Sequence, residues 1–221
     1  MSAVDFKTIK VKEDDIKTIK TAISKICEQN QAPPRPTYEV SYPYLLQQGK
    51  AVREKPTAEN IVVLAHAVYG WMPTILNMFG DDCECTEKIT NGLCDICKIV
   101  AYLQNKDIVT WFDTLYKKNK KEREQLEEIE RLKKLANFTN NSFVGLSKFL
   151  HFIFQDKIAI FDSNVLENLR NNGADLPAAA NNVNAFVAYE KAINKYRDDF
   201  NKENSGKQVS LRDIEIQLFI G

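Results

Sequence analysis

Two side chains that could do chemistry together, Lys148 and Asp162, lie fourteen residues apart in the second half of the chain. A lysine with a lowered pKa is a nucleophile that forms covalent imine intermediates. A carboxylate stabilises positive charge that develops on a nearby carbon in a transition state. If both groups face one cleft, the pair is suited to breaking a bond at an electron-poor carbon.

The surrounding sequence predicts the elements that position this pair. A polar turn at 140–142 leads into a strongly apolar helix at 143–154, which carries Lys148 and His151. A short apolar run then ends on Asp162, which is typical of a helix N-cap. The sequence leaves a second interpretation of each residue open, in which Asp162 is only a helix cap and Lys148 lies on the solvent face.

Helical periodicity continues over most of the chain, and only 8 glycines and 7 prolines interrupt it. We therefore predict an all-α protein. Residues 1–30 are predicted to form an N-terminal helix, 31–56 a Pro-rich extended segment with a short helix, and 57–221 a helical core. The sequence also permits a division into two lobes with a cleft between them. In that core, a helix is predicted from the N-cap Thr57 through Phe79.

Composition narrows the classes of function. Thirty Lys and Arg residues balance thirty Asp and Glu residues, so the whole chain carries no general attraction for nucleic acid or anionic membrane. No apolar run is long enough to cross a membrane, and no signal peptide is visible. Five cysteines, an odd number, argue against a closed disulfide framework. We expect a cytoplasmic protein.

The segment 134–162 resembles the helix-hairpin-helix region of the DNA glycosylase superfamily known as HhH-GPD. The run Val144-Gly145-Leu146-Ser147-Lys148 resembles its glycine hairpin, and Ala159-Ile160-Phe161-Asp162-Ser163-Asn164-Val165 resembles its aspartate motif. The family hairpin usually has two glycines before its lysine, whereas Gly145 is the only glycine here. The family lysine position therefore corresponds either to Lys148 or to Ser147. The aspartate motif of this chain also lacks the family's proline and histidine.

The resemblance implies a glycosylase-like helical domain that excises a damaged or modified base from double-stranded DNA. Asp162 would stabilise the charge at the sugar C1′, and Lys148 would attack that carbon. The hairpin residues Val144, Gly145 and Ser147 would hold a DNA phosphate.

A flipped base would also need a pocket. We expect this base pocket to include an aromatic or polar set consisting of His66, Tyr69, Trp71 and His151. Alternatively, each histidine is a structural residue whose hydrogen bonds are made within the protein.

Four cysteines lie close together in the sequence, as Cys83, Cys85, Cys94 and Cys97. Two close pairs separated by a short loop are typical of a structural zinc site, although buried thiols would explain Cys97 equally well. The predicted chemistry itself requires no cofactor.

Three classes of function remain open from the sequence. The first is a DNA glycosylase, with or without lyase activity. The second is a catalytically inactive helix-hairpin-helix DNA-binding protein. The third is a helical protein-interaction module that does not contact DNA, which the zero net charge permits.

Overall fold

A computed structural model describes residues 6, 9–29, 41–72, 74–78, 86–116 and 122–220. This part of the chain contains ten α-helices and no strand, which confirms the prediction of an all-α protein. The helices are α1 (Glu13–Gln29), α2 (Tyr42–Glu54), α3 (Ala58–Tyr69), α4 (Thr86–Asn105), α5 (Ile108–Tyr116), α6 (Glu122–Phe138), α7 (Phe143–Ile153), α8 (Ser163–Asn171), α9 (Val183–Glu203) and α10 (Leu211–Ile220).

Side-chain caps fix the starts of several helices. Thr57 caps α3, and its side chain accepts a hydrogen bond from the Asn60 amide, as predicted. The prediction that this helix continues to Phe79 is wrong, because α3 ends at Tyr69. Gly70 follows directly, and a helix loses stability where glycine enters it.

The N-terminal helix α1 packs mainly against α9 and also contacts α8 and α10. It is therefore part of the same packed body as the C-terminal helices. On the other side, α2 packs against α3 and α7. The predicted extended segment before α2 lies outside the described residues, apart from Ser41 and the positions that follow it. Across the described ranges, no helix combines the length and apolar character needed to cross a bilayer.

A tight turn at 139–142 joins α6 to α7, next to the position at which the sequence predicts a hairpin. Asn140 and Asn141 adopt left-handed backbone conformations, with φ of 59° and 52°, which asparagine tolerates better than most residues. The Asn140 side chain also accepts from the amide of Asn77 and donates to the carbonyl of Ile75. The left-handed positions of the hairpin are therefore supplied by asparagine.

Gly145, which the sequence placed at the hairpin, lies inside α7 instead. A Cβ atom at this position would lie 2.4 Å from the hydroxyl oxygen of Tyr69. That hydroxyl donates to the carbonyl of Thr139 at 2.7 Å. A larger residue here would displace the Tyr69 side chain, so Gly145 makes room for a side chain of α3, which differs from the expected role in a turn.

Candidate active site

Lys148 and Asp162 line the same cleft, which has a volume of about 430 Å³. This volume falls within the range of small-molecule sites, which is roughly 300 to 1,000 Å³. The walls come from the start of α2, the end of α3, and helices α7, α8 and α10. The residues with polar groups that line the cleft are Ser41, Trp71, Lys148, Asp162, Asn164, Arg212 and Glu215.

Asp162 is the N-cap of α8, as predicted. Its Oδ1 atom accepts a hydrogen bond from the Val165 amide at 3.0 Å. The residue is only 8% exposed. Burial raises the pKa of Asp162, although the amide hydrogen bonds and the charge of Lys148 oppose this shift. One oxygen of the carboxyl group is thus hydrogen-bonded to the start of α8, and the carboxyl group also lines the cleft.

Lys148 approaches the cleft from the middle of α7 and is half-buried. Burial lowers the pKa of Lys148, and the negative charge of Asp162 partly opposes that effect. Within the described part of the chain, its ammonium group makes no hydrogen bond and no ion pair within 4.0 Å. A lysine in this state is more easily deprotonated than one in water, which is a requirement for a nucleophilic amine.

A buried, extended segment at 158–162 carries Asp162 to the cleft, and side chains from the three helices α7, α9 and α10 satisfy its backbone. Three amides donate to side chains: Ala159 to Glu190, Ile160 to Glu215 and Phe161 to Ser147. Two carbonyls accept from side chains: Ile158 from His151 and Ile160 from Tyr189. An unpaired buried amide or carbonyl is costly, so these bonds fix the segment that ends at Asp162.

Behind the cleft, a buried polar network joins α2, α7 and α10. His151 Nδ1 lies 2.7 Å from the Ile158 carbonyl, which can only accept, so this nitrogen carries the hydrogen. The opposite ring nitrogen lies 2.7 Å from the Tyr42 hydroxyl. Glu215 Oε1 is 3.2 Å from His151 Nδ1, and its Oε2 accepts from Arg212 at 3.1 Å.

Glu215 is 2% exposed. Burial alone would raise the pKa of Glu215, but His151, Arg212 and the Ile160 amide together lower it below its ordinary value. Arg212 in turn lies over the ring of Tyr42, with its guanidinium carbon 4.5 Å from the ring centroid. The network therefore holds an ionised carboxylate and a guanidinium at one wall of the cleft.

Of the four expected base-pocket residues, Trp71 lines the cleft. Its ring stacks against Tyr42, and its indole N–H donates to Ser41 at 2.8 Å. Tyr69 is buried against Gly145, and His151 belongs to the network behind the wall. His66 is exposed on α3, with Nδ1 2.9 Å from the Val62 carbonyl, and is not among the lining residues.

The hairpin residues expected to contact DNA have different environments. Ser147 is fully buried, and its hydroxyl is bonded to the backbone of Phe161. Gly145 is buried, with its amide donating to Ser142. Val144, between them in sequence, is half-buried. A phosphate at this hairpin would therefore meet the turn backbone and Val144 before it met Ser147.

Two of the four predicted zinc ligands, Cys83 and Cys85, lie outside the described residues. Cys94 and Cys97 lie one helical turn apart on α4; Cys94 is exposed, and Cys97 is half-buried. No group of three or more potential metal ligands occurs in the described part of the chain. The structural zinc site stays a prediction, which elemental analysis of the purified protein would test.

The sequence did not identify Asn164, Arg212 or Glu215 as site residues, although each lines the cleft. One signal was available for Glu215, since it lies directly between the two apolar residues Ile214 and Ile216. A charged residue at such a position is buried only when it is paired.

Comparison of the chain with protein-family models, with curated proteins and with solved structures finds no match in any of the three. Inference about function therefore depends on the geometry of the cleft and on the motif resemblance of residues 134–162.

Proposed function

We propose that this protein is a DNA glycosylase-like enzyme that removes a damaged or modified base in the cleft containing Lys148 and Asp162. The observation that carries the proposal is the position of Lys148, a lysine without an internal partner in the described chain that shares a cleft with a buried carboxyl group. The motif order adds support, because a hairpin, an apolar helix, an extended segment and a capping aspartate follow one another as in the superfamily.

The two pKa shifts suit the chemistry. Burial lowers the pKa of Lys148 and raises that of Asp162, so the two values approach each other. Proton transfer between the groups becomes less unfavourable as their pKa values converge. Asp162 would accept a proton from Lys148 in one step and stabilise the positive charge at C1′ when it is ionised.

In the proposed reaction, the neutral amine of Lys148 forms a bond to C1′ while the bond from C1′ to the base nitrogen breaks. The departing base takes the electron pair of that bond and a proton. Opening of the sugar ring then breaks the bond between C1′ and O4′; the second amine proton moves to O4′, and the nitrogen electron pair forms the imine between Lys148 and the sugar. Borohydride reduces this imine to a stable covalent link between protein and DNA.

The experiment uses duplex oligonucleotides that each contain one deaminated, alkylated or oxidised base. Base release is measured by strand scission in alkali, and the covalent link is measured by borohydride trapping. Lys148→Arg keeps the positive charge and removes the nucleophilic amine, so it should abolish trapping. Lys50→Arg is the matched control, because Lys50 is an exposed lysine on α2 that pairs with Glu54.

If the protein neither releases a base nor forms a covalent link, this function is excluded. A binding titration at several salt concentrations would then separate the two alternatives. Salt-sensitive binding to duplexes without base release would indicate a helix-hairpin-helix DNA-binding protein. Absence of binding would indicate a protein-interaction module.

A further inference from the structure

Most polar groups that line the cleft are already bonded within the protein. The Ser41 hydroxyl accepts from Trp71, one oxygen of Asp162 accepts from Val165, and Glu215 is bonded to Arg212. These groups have limited freedom to recognise a ligand by hydrogen bonds. The donors and acceptors that remain available in the wall therefore decide what the cleft recognises.

Asn164 supplies such a group. Its side chain is exposed, lines the cleft and makes no hydrogen bond within the described part of the chain. Asn164 lies on the first turn of α8, which Asp162 caps, so the position of its backbone is fixed. Other asparagines have structural partners, such as Asn182, which caps α9, and Asn194, which donates to the carbonyl of Glu190.

We infer that Asn164 recognises the edge of the base that is removed, an inference that rests on the proposed function. A side-chain amide presents a donor and an acceptor side by side, so it pairs with a base edge that offers an adjacent acceptor and donor. Because Asn164 is two residues from Asp162, an amide there lies close to a base whose C1′ faces that carboxyl group. The ring of Trp71 lines the same cleft and offers a surface on which a base can stack.

The expected substrate is therefore a nucleobase with an N–H donor next to a hydrogen-bond acceptor on one edge. Uracil, which is a deaminated base, meets this description with its N3–H beside O4. A base methylated at the edge donor does not, because the oxygen of the Asn164 amide then loses its partner.

The test separates recognition of the base from the chemistry of Lys148. Asn164→Ala is compared with the unaltered protein on two duplexes, one with the best base substrate and one with an abasic site. Base release should fall about 10- to 100-fold, the value of one bidentate base contact. Borohydride trapping on the abasic duplex should be unchanged, because no base is present. Asn171→Ala, at the exposed end of the same helix, is the control and should alter neither result.

A second comparison uses the same base methylated at its edge donor. The unaltered protein should release this analogue about 10-fold or more slowly than the parent base, and Asn164→Ala should release the two at similar rates. Unchanged base release in Asn164→Ala would overturn the inference alone. Equal loss of release and of abasic-site trapping would also overturn it, since it would indicate contact with the DNA backbone. Absence of both activities in the unaltered protein would overturn the proposed function together with this inference.

Discussion

Ser147 and Phe161 are joined by hydrogen bonds across the space between α7 and the extended segment. The Ser147 hydroxyl oxygen accepts from the Phe161 amide at 3.0 Å. The same oxygen lies 3.2 Å from the Phe161 carbonyl and 3.0 Å from the Val144 carbonyl, so its hydrogen has an acceptor in either direction. Because Ser147 precedes Lys148 and Phe161 precedes Asp162, this contact fixes the spacing of the two proposed catalytic groups.

We predict that Ser147→Ala lowers the free energy of unfolding by about 1 to 3 kcal/mol, because it leaves the buried Phe161 amide without an acceptor. Urea denaturation would measure the change. Ser163→Ala is the control, since Ser163 is exposed and lies next to Asp162. If the two variants were equally stable, the Phe161 amide would have another partner and the proposed link between the two groups would be absent.

Local sequence patterns were sufficient to predict the all-α class and the caps at Thr57 and Asp162, because caps depend on neighbouring residues, but they extended α3 beyond its end at Tyr69. They also led to Lys148 and Asp162, which share a cleft. The opposite wall was not predictable in this way. Glu215 meets the Ile160 amide across 55 residues of sequence, and no local periodicity encodes that contact.

The role of Gly145 illustrates a second limit. A glycine after a polar stretch favours a turn, but the left-handed positions of this hairpin are taken by Asn140 and Asn141. At position 145 the space for a side chain is instead taken by Tyr69, a residue from α3 that is distant in sequence. A glycine selected for a turn and one selected for close packing are indistinguishable in a single sequence.

Substitution of Gly145 by alanine should destabilise the protein by about 1 to 3 kcal/mol, because the new methyl group overlaps the Tyr69 hydroxyl. Thermal or urea denaturation would measure this effect. Gly206→Ala is a suitable control, since a Cβ at Gly206 would meet no atom within 4 Å. Adding Tyr69→Phe to Gly145→Ala should recover part of the loss. Strict additivity of the two substitutions would contradict the proposed contact.

Asp162→Asn should separate the structural role of Asp162 from its proposed catalytic role. Asparagine caps helices as well as aspartate does, whereas Asp162→Ala should cost about 1 kcal/mol. Burial raises the pKa of Asp162, so its carboxyl group favours the folded state at low pH, and this contribution is lost as pH rises through the folded pKa. At pH 7 the neutral asparagine variant should therefore unfold at no lower urea concentration than the unaltered protein.

The catalytic part of the same prediction is a loss of base release in Asp162→Asn of about 100- to 1,000-fold, the usual effect of removing one group that stabilises transition-state charge. Circular dichroism and urea denaturation would verify that the variant is folded. Normal base release by a stable Asp162→Asn protein would show that the carboxylate acts only as a cap.

Lys148 should titrate below the ordinary lysine value of 10.5, because burial lowers its pKa. Reductive ¹³C-methylation of the lysines, followed by an NMR titration, would report each dimethylamine separately, and Lys148→Arg would identify the relevant signal. The rate of abasic-site trapping should rise with pH over the same range, since only the neutral amine attacks. A Lys148 signal that titrates at or above the ordinary lysine value of 10.5 would contradict this prediction.

Glu190 should make stability decrease towards alkaline pH. It is 1% exposed, and burial raises its pKa well above the ordinary value of 4.5. Its contribution to stability is complete below pH 4.5 and is lost as pH rises through the folded pKa, because the ionised form is buried without a counter-charge. Glu190→Gln keeps an oxygen that accepts from the Ala159 amide, so its free energy of unfolding should depend less on pH.

Urea denaturation at pH 5, 7 and 9 would measure both proteins, with exposed Glu203→Gln as the control. An identical pH dependence for Glu190→Gln and the unaltered protein would mean that Glu190 is ionised in the folded state.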